Sequence, residues 1–85
     1  MNWIIIIDGR VRKQLRKLPA KDYERIGNSI NAMEFGPFFG DIEKLGGQEN
    51  SWRRRVGNYR IFYDVYADKK IIYISEIKRR TSSTY

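Results

Sequence analysis

The chain has 85 residues, with 17 Lys and Arg against 10 Asp and Glu, and it contains neither cysteine nor histidine. One domain spanning 1–85 is expected, small enough to bury only roughly 60% of its unfolded surface. Disulfides and thiolate metal sites are excluded, and the commonest metal ligand and general base is missing. A formal charge of +7 points to a polyanionic partner: RNA, DNA, an acidic protein or an anionic membrane.

The apolar start, Trp3-Ile4-Ile5-Ile6-Ile7, is too short to span a bilayer. It has no basic leader and no small-residue cleavage site, so a buried β-strand is expected there. With no export signal and no cysteine, the cytoplasm is the expected location and a membrane is not an expected partner. Asp8-Gly9 breaks the strand. Val11, Leu15 and Leu18 then recur at i, i+4 and i+7, one face of a helix, with Arg10, Arg12, Lys13, Arg16 and Lys17 on the other face. Pro19 ends that helix. A second helix follows, with Tyr23, Ile26, Ile30 and Met33 on its apolar stripe, and the short connection makes the pair an antiparallel helical hairpin.

Gly36-Pro37 and Gly40 mark a loop, from which Ile42 and Leu45 are expected to pack back on the core. Strands are expected at 52–56, 59–65 and 70–77. Gly57-Asn58 suits a tight turn with positive φ, and Ala67-Asp68-Lys69 makes the second hairpin. The order β-α-α-β-β-β predicts an α+β fold: an N-terminal strand, the helical hairpin, then a three-stranded antiparallel meander covered on one face by the helices.

Alternation across a strand decides where the charges go. If Trp52, Val56, Ile61 and Val65 face the helices, then Arg53, Arg55 and Arg60 emerge together on the other face. Lys78-Arg79-Arg80 is expected to leave the last strand, and Tyr85 to fold back toward the sheet. Guanidinium groups keep their charge at cellular pH and match phosphate in a two-pronged geometry. Such a face is suited to a polyanion, although exposed strands also carry Lys and Arg simply to protect an edge.

Four segments together resemble the RelE/ParE superfamily, the toxins of bacterial type II toxin–antitoxin systems: Lys17-Leu18-Pro19, Lys44-Leu45, the Trp-Arg-x-Arg-Val-Gly-x-Tyr-Arg hairpin at 52–60, and Ile74-Ser75-Glu76-Ile77-Lys78-Arg79. The resemblance covers nearly the whole chain and implies a RelE-like microbial RNase fold. It is closer to the RelE branch, whose members cut mRNA in the ribosomal A site, than to ParE-like members, which poison DNA gyrase and need no RNA-cleaving residues. The RelE pattern falls on Arg53 and Arg55, on Arg60 after the hairpin tyrosine, on Arg79, and on Tyr85 six positions later. The prototype has lysines where Arg53 and Arg55 stand, so neither arginine is expected to act as a base.

Some related toxins place a catalytic glutamate two residues before the leucine that precedes the sheet, as Glu43 stands before Leu45. Glu43 therefore reads either as a general base or as a surface charge beside Lys44. What the resemblance implies is a metal- and cofactor-independent endoribonuclease whose Arg60, Arg79 and Tyr85 gather in one cleft. Arg53 and Arg55 would hold the RNA backbone. Arg12, Lys13, Arg16, Lys17, Lys78 and Arg80 would grip the RNA or the ribosome. It also implies a cognate acidic antitoxin from the adjacent gene.

Overall fold

Four isoleucines at the start and three alternating strands toward the end build a single sheet. In the computed structural model, which describes residues 2–47 and 49–79, β1 (Ile4–Ile7) is followed by α1 (Gly9–Arg16) and α2 (Ala20–Ala32). A 3-10 turn (Met33–Phe35), β2 (Ile42–Lys44), β3 (Ser51–Val56), β4 (Tyr59–Tyr66) and β5 (Ile71–Arg79) complete the order. The sheet runs β1-β5-β4-β3-β2, with β1 parallel to β5 and the other pairs antiparallel. The α+β fold, the helical pair and the meander stand as expected. β2 is an addition: Ile42–Lys44 pairs with β3 as a fifth, edge strand.

The core lies between the sheet and the two helices. Val11 and Leu15 of α1, Ile26 and Ile30 of α2, and Met33 meet Tyr59, Ile61, Tyr63 and Val65 of β4 and Ile72, Ile74 and Ile77 of β5. Each fully buried aliphatic side chain stabilises the fold by about 1.5–3 kcal/mol. Two positions depart from expectation. Tyr23 is 52% exposed, because it lies on the solvent side of the α2 stripe. β1 is not a buried strand, since the sheet ends there: Ile5 and Ile7 pack inward while Ile4 and Ile6 stay exposed.

Two local devices set the phase of the strands. At the β3–β4 turn Gly57 has φ of 60°, the positive value that a II′ turn takes at its first central residue. Between β4 and β5 the register shifts at Phe62/Tyr63. Phe62 faces Glu76 but Tyr63 faces Ile74, so Ser75 is the extra residue of a bulge. Its hydroxyl donates to the Phe62 carbonyl at 3.2 Å. The bulge lets Ile72, Ile74 and Ile77 all face inward despite their uneven spacing. Lys78 and Arg79, expected to leave the strand, lie within β5, paired with Arg60 and Tyr59 of β4.

Arg54 is the charged side chain that the alternation drives inward, and it is 4% exposed. Its Nη2 donates to the Phe39 carbonyl at 2.6 Å and its Nη1 to Ser29 Oγ at 3.2 Å. The guanidinium carbon lies 3.8 Å from the centre of the Phe39 ring. Burial pushes its pKa down from the usual arginine value, although an arginine keeps its charge in proteins. Tyr63 adds a second clasp on the same loop, donating its hydroxyl to the Pro37 carbonyl at 2.8 Å.

Removing Arg54 leaves a cavity and an unpaired Phe39 carbonyl. Arg54→Ala is expected to lower unfolding free energy by about 2–4 kcal/mol, read as a lower urea midpoint at unchanged slope. Arg54→Met, which refills the volume but not the hydrogen bonds, should recover part of that loss.

Asp8 caps α1, its Oδ1 accepting from the Arg10 N–H at 2.8 Å, and it also accepts from the Tyr73 hydroxyl. The Arg10 side chain first, then Tyr73, hold its carboxyl well below the usual carboxylate range. A lowered folded pKa means that this stabilisation is complete above the unfolded value of about 3.9 and fades as pH falls below it. Asp8→Asn keeps the cap and removes the charge. Its melting temperature should therefore fall less steeply than the parent's between pH 4.5 and pH 2 in thermal scans.

Candidate nucleic-acid interface

The face of the sheet opposite the helices is assembled by cross-strand pairing. Glu43 of β2 sits opposite Arg53 of β3, which sits opposite Phe62 of β4. One row along, Arg55 faces Arg60, and Arg60 faces Lys78 of β5. Direct cross-strand partners project to the same side, so Arg53, Arg55, Arg60 and Lys78 share this face with Glu43. The inward placement of Ile61, Tyr63 and Val65 fixes that choice, and the grouping of Arg53, Arg55 and Arg60 expected from alternation is present.

Asp41, Glu43, Arg53, Arg55 and Arg60 line a shallow trough of about 220 Å³. Two of its three arginines are engaged. Arg53 forms an ion pair with Glu43. Arg55 Nε donates to Asp41 Oδ2 at 2.9 Å, while the Arg55 backbone N–H donates to the Asp41 carbonyl, also at 2.9 Å. Arg60 has no ion pair among the described residues. Lys78, its neighbour on β5, lies 3.9 Å from a Glu76 oxygen and 5.6 Å from the centre of the Phe62 ring. Three guanidiniums against two carboxylates leave the trough one positive charge in excess. It can hold a phosphodiester electrostatically. A carboxylate capable of accepting a proton stands beside it, itself held by Arg53.

Arg79 does not join this group. Its cross-strand partner is the buried Tyr59, so it sits on the helix side of the sheet, its guanidinium 6.0 Å from the Tyr59 ring. Tyr59 in turn donates to Asp22 of α2 at 2.8 Å, which raises its pKa. The expectation that Arg60 and Arg79 converge in one cleft is thus corrected by the bulge at Ser75, which turns Lys78 outward and Arg79 inward. Arg80 and Tyr85 lie outside the described residues. Arg12, Lys13, Arg16 and Lys17 are all exposed, as expected, along α1.

Asp41 and Arg54 were not singled out from the sequence. The Asp41-x-Glu43 spacing, which puts both carboxylates on one side of a strand, was the signal for the first. For the bulge, the signal was the two-then-three spacing of Ile72, Ile74 and Ile77.

Comparison with known proteins follows the same lines. Residues 5–83 match the family described as the ParE toxin of type II toxin–antitoxin systems, parDE. A candidate toxin, RelE1, of Methanocaldococcus jannaschii is 33% identical over an alignment 84 positions long that covers 94% of this chain and 92% of the relative. Toxin RelE3 of the same organism is 34% identical over 79 residues, 93% of this chain and 81% of the relative. Among solved structures, the archaeal RelE–RelB complex from Pyrococcus horikoshii contains a chain that superposes with a TM-score of 0.84 at 31% identity, covering 98% of this chain and 100% of that one.

Proposed function

The chain belongs to the RelE/ParE superfamily of type II toxin–antitoxin toxins and is RelE-like, and from that premise we propose that it is a ribosome-dependent endoribonuclease, cleaving mRNA in the A site of the small ribosomal subunit. The observation that carries the reading is the trough in which Arg53, Arg55 and Arg60 converge beside Glu43. Metal-free cleavage asks for an attack by the 2′-oxygen on the adjacent phosphorus and departure of the 5′-oxygen, leaving a 2′,3′-cyclic phosphate and a 5′-hydroxyl. Negative charge builds on the phosphate as this happens. Fixed cations stabilise it, and in most enzymes such electrostatic stabilisation contributes more to the rate than any other effect.

Arg60, unpaired among the described residues, is assigned to the scissile phosphate. Lys78 stands opposite it on the same face and takes the place that the resemblance gives to Arg79. Arg53 and Arg55 hold the RNA backbone. Glu43 takes the proton from the 2′-hydroxyl. Lys78, which unlike an arginine can release a proton, supplies one to the departing oxygen. Tyr85 remains a candidate for stacking on a base, and Arg12, Lys13, Arg16, Lys17 and Arg80 for gripping ribosomal RNA. Arg79, on the helix side, is left to contact RNA or antitoxin outside the trough. An acidic antitoxin is the expected partner, as the Pyrococcus horikoshii chain is found in a complex with RelB.

A second reading is favoured by two observations: the matching family carries the ParE description, and Arg79 lies apart from Arg60. It makes the protein an inhibitor of DNA gyrase without nuclease activity. One experiment separates the two. In a translating extract with 5′ ends mapped by primer extension, the protein should produce cuts within A-site codons. Arg60→Ala should slow cleavage by about 100-fold or more. Lys78→Arg, which keeps the charge but retains its proton, should bind RNA yet cleave slowly. A loss in Arg79→Ala as large as that in Arg60→Ala would return the phosphate contact to Arg79. Blocked supercoiling with no RNA cuts would establish the gyrase reading.

A further inference from the structure

Two carboxylates already occupy the arginines that an RNA backbone would need. Glu43 holds Arg53, and Asp41 holds Arg55 through both its side chain and its backbone carbonyl. Both carboxylates line the same trough as Arg60, which has no ion pair among the described residues. The backbone places both beside their arginines. Glu43 stands directly opposite Arg53 in the β2–β3 pairing, with its side chain largely exposed. Asp41 closes a loop that Arg54 and Tyr63 fasten from beneath through the Phe39 and Pro37 carbonyls.

A carboxylate presents two oxygens to a guanidinium much as a phosphodiester does. We propose that Asp41 and Glu43 are built-in stand-ins for RNA phosphates, so that a backbone enters the trough by exchanging with them. Asp41 is then a positioning residue that sets RNA affinity through Arg55. Glu43 is set free to act as a base only when a phosphate takes Arg53 from it. This rests on the reading of the trough as an RNA site, and it deepens that reading by naming how the site is regulated: Arg60 is open at once, and the other two arginines only by displacement.

The exchange has a thermodynamic signature. When a phosphate binds a cation that is free, condensed counterions leave the RNA, and the logarithm of the binding constant falls with the logarithm of salt by about 0.7 for each contact on a single strand. When the cation first has to leave a carboxylate, breaking that pair is itself favoured by salt, which offsets part of the effect and makes the net salt dependence shallower. The test is binding of a fluorescein-labelled 2′-O-methyl oligoribonucleotide, which cannot be cleaved, across a salt series, for the full chain and for Asp41→Asn, Glu43→Gln and the double variant.

Each single substitution should tighten binding several-fold at low salt and steepen the slope by about 0.7, and the double variant by about twice that. Asp41→Glu, which restores a carboxylate, should return both quantities toward the parent. In the translating extract Glu43→Gln should cleave more slowly despite binding RNA more tightly. Unchanged slope and affinity in Asp41→Asn, together with lost binding in Arg55→Ala, would overturn the exchange and leave the RNA site standing. Binding indifferent to Arg55→Ala would overturn both. A steeper slope in a protein that makes no cuts would sustain the exchange and overturn the nuclease.

Discussion

The phase of side-chain alternation along β3, β4 and β5 is the constraint on which the rest depends. A strand offers each residue one of two faces, and a shift of one position exchanges them all. The II′ turn at Gly57 fixes β3 against β4, and the bulge at Ser75 fixes β4 against β5. With that phase, Ile61, Tyr63, Val65, Ile72, Ile74 and Ile77 fill the core, while Arg53, Arg55, Arg60 and Lys78 are placed on the open face. Burial of six large side chains enforces the phase far more strongly than any preference of the cations, so the charged face is set by the core behind it.

The same phase sends Arg54 inward between two arginines that point out. That costs desolvation of a guanidinium, offset by the Phe39 carbonyl, the Ser29 hydroxyl and the Phe39 ring. What the arrangement achieves is local. The loop before β2 has little core of its own, since Phe38 and Phe39 are partly exposed. Anchored from below by Arg54 and Tyr63, it delivers Asp41 to Arg55 and starts β2 in register with β3. Three consecutive arginines thus serve different ends: the central one holds the frame, and its two neighbours line the trough on the open face.

Much of this is legible in the sequence because it rests on simple periods. The two helices follow from apolar spacings at three and four, and the hairpin from alternation about Gly57-Asn58. The convergence of Arg53, Arg55 and Arg60 follows once Trp52 and Ile61 are assigned to the core. What escapes depends on breaks in period. β2 is three residues long and finds its place only by pairing with β3, so propensity alone is silent about it. The bulge reverses the outlook of everything after Ser75. Arg79, expected beside Arg60, therefore lies across the sheet from it, with Lys78 in its stead. Tyr23 fits the spacing of a buried stripe, but the apolar face of α2 is narrower than the spacing allows.

The two carboxylates of the trough answer a difficulty that the fold creates for itself. Arg55 and Arg60 stand directly opposite across two strands, a destabilising arrangement of like charges, in a domain too small to have stability to spare. Asp41 and Glu43 relieve that repulsion in the unliganded protein. The relief has a consequence for binding, because an anion that enters must compete with carboxylates tethered to the same chain, an internal ligand at high effective concentration. Under the proposed function, RNA free in solution would compete poorly on those terms. RNA held in place by a larger assembly would compete on equal ones, since its phosphates too would be presented at high effective concentration. Weak action in isolation and strong action on a held substrate are then what the electrostatics of an 85-residue domain that has to carry its cations close together and still fold would produce.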